Sequence, residues 1–406
     1  MFKRSYALLA LLVLAGMVLA ACGPAAPAFE CTDSIGCVDI GPNEPIHLAY
    51  ALVISGADET LGVDSRNGVE VAVEQKGQVL GHDVQLTGED ETCSAEGGQA
   101  AGTKLAADPT IVAVIGTSCS SAARVAVPLL SQAGFVIVSP SNTAPDLTEE
   151  GNENNHPGYL RTAHNDQVQG AAAAEFAFDE MGFTTAATIH DGSLYAEKLQ
   201  EVFAEEFQAK GGTITTTEAV DPNGTDFRGA LTSIAATEPE FIYMPIFVNA
   251  GSLIVRQAKE VPGLEDVRLM GADGMFSPDV VEGAGDAVEG LFLSSPDLAA
   301  FGPEYESTFL PKYQEMFGTE PISIFHAHAF DATNMIIAAI EKVAVQDEDG
   351  TLHIPRQALR DALYATSNFQ GLTGSLTCNT TGDCADPKIA VYESHAGEFP
   401  PERIWP

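Results

Sequence analysis

Residues 111–133 read IVAVIGTSCSSAARVAVPLLSQA. The run Ile111–Ile115 is apolar and mostly β-branched, and it is too short for a helix. It has the character of a strand buried on both faces of a parallel sheet. Small polar residues follow from Gly116 to Ser121. Ala122, Val125, Leu129 and Ala133 then recur at helical spacing. Strand, short loop and amphipathic helix make the repeating unit of a parallel α/β protein. The same alternation extends outward. Candidate strands are Ile46–Val53, Val84–Thr87, Phe135–Ser139, Ala186–His190, Phe241–Met244, Val267–Met270, Leu291–Ser294 and Ile389–Tyr392. Candidate helices are Ser65–Lys76, Leu194–Ala209, Asn249–Glu260, Phe330–Val343 and Ala358–Ala365. The expected class is α/β, doubly wound, in two halves.

The chain has 406 residues, with 57 acidic against 19 basic side chains and a formal charge of −38. A hydrophobic content of 45% is that of a globular protein. The acidic excess excludes a nucleic-acid partner, because phosphate backbones recruit Lys and Arg. It also excludes a basic membrane-surface domain.

Lys3 and Arg4 precede a nearly continuous apolar stretch, Ala7–Ala21, which ends in Leu19-Ala20-Ala21-Cys22. This pattern resembles a bacterial lipoprotein signal. The resemblance implies removal of residues 1–21, with Cys22 as a lipid-bearing N-terminus that tethers the protein outside the cytoplasm. Residues 22–45, rich in Gly and Pro, are expected to be a tether. The remaining six cysteines fall as Cys31/Cys37, Cys93/Cys119 and Cys378/Cys384. In an oxidising compartment an even set of this kind is expected to form three bridges. There is no C-x-x-C and no His at ligand spacing nearby, so no metal is expected.

Two predicted strand ends carry small hydroxyl residues just before a helix or turn. They are Gly116-Thr117-Ser118-Cys119-Ser120-Ser121 and Ser139-Pro140-Ser141-Asn142-Thr143. Ligands of parallel α/β sheets bind at such ends, and a helix start offers N–H groups to an anion. Ser120 and Thr143 can each bring a hydroxyl and an N–H to a carboxylate. The bland alternative is that both only cap helices.

Ile115–Ser121, Val138–Thr148, Arg161-Thr162, Phe241–Lys259, Met270–Gly274, Gly285–Gly290, Gly371–Gly374 and Gly382-Asp383 together resemble the branched-chain amino-acid binding proteins of ABC importers. The resemblance spans about residues 46–394. It implies a type I periplasmic-binding fold, two doubly wound lobes joined by a three-segment hinge, with ligand held between them. The expected lobes are 46–160 with 293–366, and 161–291 with 367–392, followed by a tail, 393–406. By resemblance, Ser120 and Thr143 hold the ligand carboxylate. The Ser141 carbonyl, Thr143 hydroxyl and Asp273 carboxylate hold its α-ammonium, and Tyr195 lines the cleft. Some members bridge the pair matching Cys93 and Cys119. Leu61 and Phe247 stand where many members have tyrosine or another aromatic, and Ser118 where an apolar residue is common. Asp273 is one methylene shorter than the Glu that also occurs there.

The implied function is capture of an amino acid, expected to be aliphatic, and its delivery to an ABC permease in the membrane. The protein is expected to be a monomer without cofactor or catalytic residues. G-x-S-x-G, P-loop and H-E-x-x-H patterns are absent. The same fold binding an amide, urea or aromatic acid is one alternative. A sensor presenting its closed form to a receptor is another. His326 and His328 invite a metal reading, but i and i+2 do not share a helix face.

Overall fold

The computed structural model describes residues 29–406. The expected signal, 1–21, and Cys22 lie outside the described residues. Ile111–Gly116 is a strand buried at every position. It lies inside a sheet ordered Gln78–Val79, His82–Asp90, Ile46–Leu52, Ile111–Gly116, Val136–Ser139, Tyr159–Arg161. All pairings are parallel except the hairpin at Gln78–Val79. Helices Glu59–Lys76 and His326–Val343 cover one face, through Val69, Ile336 and Ile340. Helices Ala95–Ala106 and Ser120–Gln132 cover the other, through Leu105, Val127 and Leu130.

The face expected for the Ser120–Gln132 helix is off by one residue. Ala123, Val127 and Leu130 are buried, whereas Val125 and Leu129 are half-buried. The helix is apolar in both registers, and its alanines decide between them. Gly98 and Gly102 of the neighbouring helix approach Ala122 and Ala126 so closely that an added Cβ would lie 2.5–2.9 Å from their backbone. Small residues therefore pack helix on helix, and the larger ones turn to the sheet.

The second sheet repeats this winding. Its order is Thr213–Ala219, Thr185–His190, Phe241–Tyr243, Arg268–Gly271, Phe292–Pro296, Ile389–Glu393, Glu402–Trp405. The first five strands are parallel and the last two antiparallel. In both sheets the second strand in the chain lies outside the first and the third lies on its other side. Each sheet thus has a switch point between its first and third parallel strands, where a crevice opens at the carboxyl ends. The chain passes between the sheets three times: after Arg161, after Pro296 and before Ile389.

These crossings correct the expected boundaries. Phe292–Pro296, assigned from residue 293 to the first lobe, is a buried strand of the second sheet. Leu376 and Cys384, assigned to the second lobe, bury in the core of the first. Residues 393–406 are not a tail, because Glu402–Trp405 is the edge strand beside Ile389–Glu393. Proline next to a short edge strand is compatible with the sheet, since nothing there needs its N–H. The expected tether also carries structure. Cys37–Ile40 pairs with Leu352–Pro355, and the Asp33 carboxylate accepts the N–H groups of Gln357 and Ala358 at the start of helix Arg356–Tyr364. Cys31–Cys37, Cys93–Cys119 and Cys378–Cys384 are all bonded. Among the described residues no helix is long and apolar enough to cross a membrane, and no group of three or more potential metal ligands occurs.

His326 and His328 are both buried. His326 Nδ1 meets Asp64 at 2.7 Å, and its Nε2 meets the Tyr305 hydroxyl at 2.8 Å, which ties Tyr305 and Tyr313 to the first lobe. His328 lies at the crossings, where its carbonyl accepts the Thr162 hydroxyl at 2.8 Å. Burial first, then His164 and His326, push the His328 imidazole down to about 3. An unfolded chain would protonate it near 6.5. Stability held above that pH is therefore lost as the pH falls toward 3, by at most about 1.4 kcal/mol per pH unit. His328→Gln is expected to flatten the fall in melting temperature between pH 6.5 and 4 relative to wild type. Parallel curves in differential scanning calorimetry would show that His328 titrates normally.

Candidate functional site

The two switch points face each other. From the first sheet come the loops after Ile46–Leu52 and Ile111–Gly116. From the second come the loops after Thr185–His190 and Phe241–Tyr243. Between them lies a narrow cavity of about 20 Å³, lined by Leu61, Ser118, Cys119, Ser120 and Ser141 on one side, Tyr195, Phe247, Asp273 and Gly274 on the other, and Phe325 at the crossings. That is far below the roughly 300–1,000 Å³ usual for ligand sites, so the two sides must part to admit a ligand. The sides touch across it. Ser121 Oγ accepts the N–H of Leu194 at 3.0 Å, and Thr60 Oγ1 meets Ser277 Oγ at 3.2 Å.

The first-sheet loops are cross-braced. Ser118 Oγ accepts the Val53 N–H at 3.1 Å, and Ser141 Oγ donates to the Ser118 carbonyl at 3.1 Å. Thr117 Oγ1 donates to Asn142 Oδ1, and Ser139 Oγ donates to the Thr117 carbonyl. Neither Ser120 nor Thr143 caps a helix. Ser120 is the first residue of its helix, which has no side-chain cap, and its Oγ accepts the Ala144 N–H at 3.3 Å. Thr143 Oγ1 is buried with no hydrogen-bond partner among the described residues. Thr143 does not line the cavity itself. It sits behind Ser141, where its carbonyl accepts the Asp166 N–H at 2.9 Å.

The Thr143 loop is held from behind by Arg161, which is fully buried. Its Nη1 donates to the carbonyls of Asn142 and Ala144 at 3.1 and 2.8 Å, on either side of Thr143. Its Nη2 donates to Thr148 at 2.6 Å, and its Nε pairs with Asp383 at 2.5 Å. Asp383 belongs to the loop closed by Cys378–Cys384.

On the other side Asp273 is buried and opens a short 3₁₀ turn. Its Oδ1 accepts from Gln169 Nε2 at 2.6 Å and from the Tyr195 hydroxyl at 3.2 Å. Gln169 Oε1 meets His164 Nε2 at 2.5 Å. Burial raises the Asp273 carboxyl above the usual range, with His164, Gln169 and Tyr195 partly offsetting it. A Cβ on Gly274 would lie 2.9 Å from the Ile246 carbonyl and 3.1 Å from the Tyr195 ring, so the tyrosine closes over Asp273 because residue 274 has no side chain. The opposite end is apolar: Val53, Leu61 and Cys119 cluster with Cys93 and Phe247, and the Phe247 and Tyr195 rings lie 5.1 Å apart.

The profile of the periplasmic binding protein family matches residues 45–397. This chain belongs to that family. The binding protein is 27% identical over 355 residues to a leucine-, isoleucine-, valine-, threonine- and alanine-binding protein of Pseudomonas aeruginosa, covering 87% of this chain and 90% of the relative. Among solved structures it resembles a leucine-binding protein of Thermotoga maritima, with a TM-score of 0.77, 25% identity and coverage of 87% and 96%. A solute-binding protein of R. palustris in complex with benzoate shares the fold, with a TM-score of 0.75, 20% identity and coverage of 89% and 96%. The binding protein has the expected type I periplasmic-binding architecture.

The structure thus brings Leu61, Ser118, Ser120, Ser141, Tyr195, Phe247 and Asp273 to one cavity. It adds Cys119, Gly274 and Phe325, which sequence reasoning did not assign to the site, and Gln169 and His164 behind Asp273. Asp383→Asn is expected to leave the buried Arg161 charge under-compensated. Because the Asp383 side chain is 29% exposed, the loss should be about 1–3 kcal/mol, less than for a fully buried pair. Chemical denaturation would read it, with the exposed Asp386→Asn as a control expected to change little.

Proposed function

We propose that this binding protein captures an α-amino acid with an aliphatic side chain between its lobes and delivers it to an ABC permease. The observation that carries this reading is the pairing of opposite chemistries across one closed cavity. Ser120 and the start of its helix offer a hydroxyl and N–H groups suited to a carboxylate. Asp273, on the other lobe, offers a buried acid suited to an ammonium, with the Ser141 carbonyl and Thr143 hydroxyl nearby. A zwitterion leaving water needs both charges paired, and only the closed form supplies both halves. Ligand therefore favours closure by its differential affinity for that form. Leu61, Phe247, Phe325 and the Cys93–Cys119 bridge suit an apolar side chain. Of the named relatives one binds leucine and one binds leucine, isoleucine, valine, threonine and alanine, which supports the same reading. It is a carrier's role and not an enzyme's. The remaining parts of the proposal are removal of residues 1–21, lipid on Cys22 as the membrane anchor, and action as a monomer.

The test is a thermal-shift screen of ligand-stripped protein with the natural amino acids, small amides, urea and aromatic carboxylates. Ligand that binds only the native state raises the melting temperature by mass action. Leucine, isoleucine or valine is expected to give the largest shift. A response only to ligands without an α-ammonium would retire the amino-acid reading in favour of the benzoate-type chemistry that the shared fold also carries. Asp273→Ala is expected to weaken amino-acid binding by about 2–5 kcal/mol in calorimetric titration; unchanged affinity would remove Asp273 from the site.

A further inference from the structure

Beyond Phe247 the cleft widens at its mouth into a second cavity of about 390 Å³. Phe247 lines both cavities, and Cys119 of the inner one is bonded to Cys93 of the outer. Both lobes bound the outer cavity. Asp58, Glu96 and Arg124 line it from the first, and Asp191, Asn223 and Asn249 from the second. Among the described residues Arg124 is the only basic side chain of this lining, and it is exposed.

Asp58 stands where the lobes meet. It precedes the helix Glu59–Lys76 but does not cap it with its side chain. Two residues on, Thr60 Oγ1 meets Ser277 Oγ of the second lobe at 3.2 Å, so this stretch lies against that lobe. Across the gap the Asp58 carboxylate faces Asp191 and the Val248 N–H. Val248 opens the helix Val248–Ala258, which has no side-chain cap of its own. Asp58 Oδ1 is nevertheless buried with no hydrogen-bond partner among the described residues. From the first lobe Glu91, fully buried, faces both Asp58 and Asp90. On the second, His190 stands beside Asp191, with its Nδ1 3.9 Å from Glu197. The helix start favours an anion at residue 58, whereas burial and the neighbouring acids oppose it. The opposition prevails. Burial first, then Asp191, push the Asp58 carboxyl up to about 6 against the Val248 N–H.

We propose that Asp58 is a proton-sensitive latch: shutting the lobes presses it against Asp191, so closing takes up a proton and ligand is held more tightly in acid than at neutral pH. The proposal rests on the reading above for closure around a ligand and for its probe, leucine. When the lobes part, Asp58 loses Asp191 and regains water, and its carboxyl returns to about 3.9. The closed form therefore binds the proton more tightly than the open form. The cost of closing with Asp58 ionised is full above pH 6 and is lost as the pH falls toward 4. From this group alone, affinity for a ligand that closes the lobes rises about tenfold between pH 7 and pH 5.

The experiment titrates leucine calorimetrically into wild-type protein and Asp58→Asn at both pH values. Asparagine keeps the size and polarity of the side chain and cannot ionise. The variant is expected to bind leucine more tightly than wild type, by about 100-fold at pH 7 and about tenfold at pH 5. Titration at pH 6 in two buffers of different ionisation enthalpy is expected to show about half a proton more taken up by wild type than by the variant. Asp273 and Glu91 are common to both proteins, so the comparison isolates Asp58. A variant affinity within about threefold of wild type at pH 7, or an unchanged ratio at the two pH values, would overturn the proposal. Should Asp58→Asn fail to fold by circular dichroism, Asp191→Asn decides, since its own Oδ1 keeps the bond that Asp191 accepts from the Ser193 N–H at 2.9 Å. It is expected to tighten leucine binding at pH 7 by at least about threefold, and no tightening overturns the latch. Failure of wild type to bind any α-amino acid is a different result. It removes the amino-acid reading, and the same comparison with benzoate then decides the latch, because closure and not the ligand's amine sets the effect.

Discussion

The buried guanidinium of Arg161 is the constraint on which the site depends. It stands where the chain first leaves the first sheet, and it binds two carbonyls that flank Thr143, a hydroxyl at Thr148 and the carboxylate of Asp383. One side chain thereby fixes the loop that faces the cleft, the first crossing and the disulfide loop leading to the third. A buried charge is tolerable only when its donors are satisfied, so these groups cannot separate freely. Motion between the lobes must therefore occur around this knot. The site wall carrying Ser141 and Thr143 then moves as a rigid part of the first lobe, while Tyr195 and Asp273 travel with the second.

The second lobe shows the same economy. Gln169 donates to both Asp273 and the Ser294 carbonyl, and His164 fixes the orientation of its amide. The acid in the cleft wall is thus held by the neutral donors Gln169 and Tyr195. A lysine or arginine in their place would neutralise Asp273 inside the protein and leave an incoming ammonium with nothing to gain.

Much of this was legible in the sequence where burial is two-sided. Ile111–Gly116, Phe241–Tyr243 and Phe292–Pro296 are buried at every position and open on apolar residues, so each was found to within a residue or two. Thr213–Ala219 and Glu402–Trp405 were missed because both are edge strands with mixed, partly exposed side chains, which hydrophobic pattern does not register. Tyr159–Arg161 is too short to show any period. In the cleft, Ser118, Ser120 and Ser141 announced themselves as hydroxyls at strand ends. Asp273 and Tyr195 needed the family resemblance, since a lone Asp or Tyr after a strand has no pattern of its own. Asp166 and Gln169 point inward from an alanine-rich helix while its Val168 is exposed, the reverse of the usual rule, and no periodicity predicts that. Phe325 reaches the cavity only because the third dimension folds the second crossing over it.

The acidic surface bears on which ligand suits the cleft. With a formal charge of −38, the protein's field slows the approach of small anions and concentrates cations, most strongly at low ionic strength. A zwitterion carries no net charge and is neither repelled nor steered at long range, so its capture depends on the local chemistry of the cavity. An aromatic carboxylate would work against the field on approach and then meet the buried Asp273 in the cavity wall. Long-range and short-range electrostatics therefore point the same way, toward a ligand whose carboxylate is matched by an amine of its own.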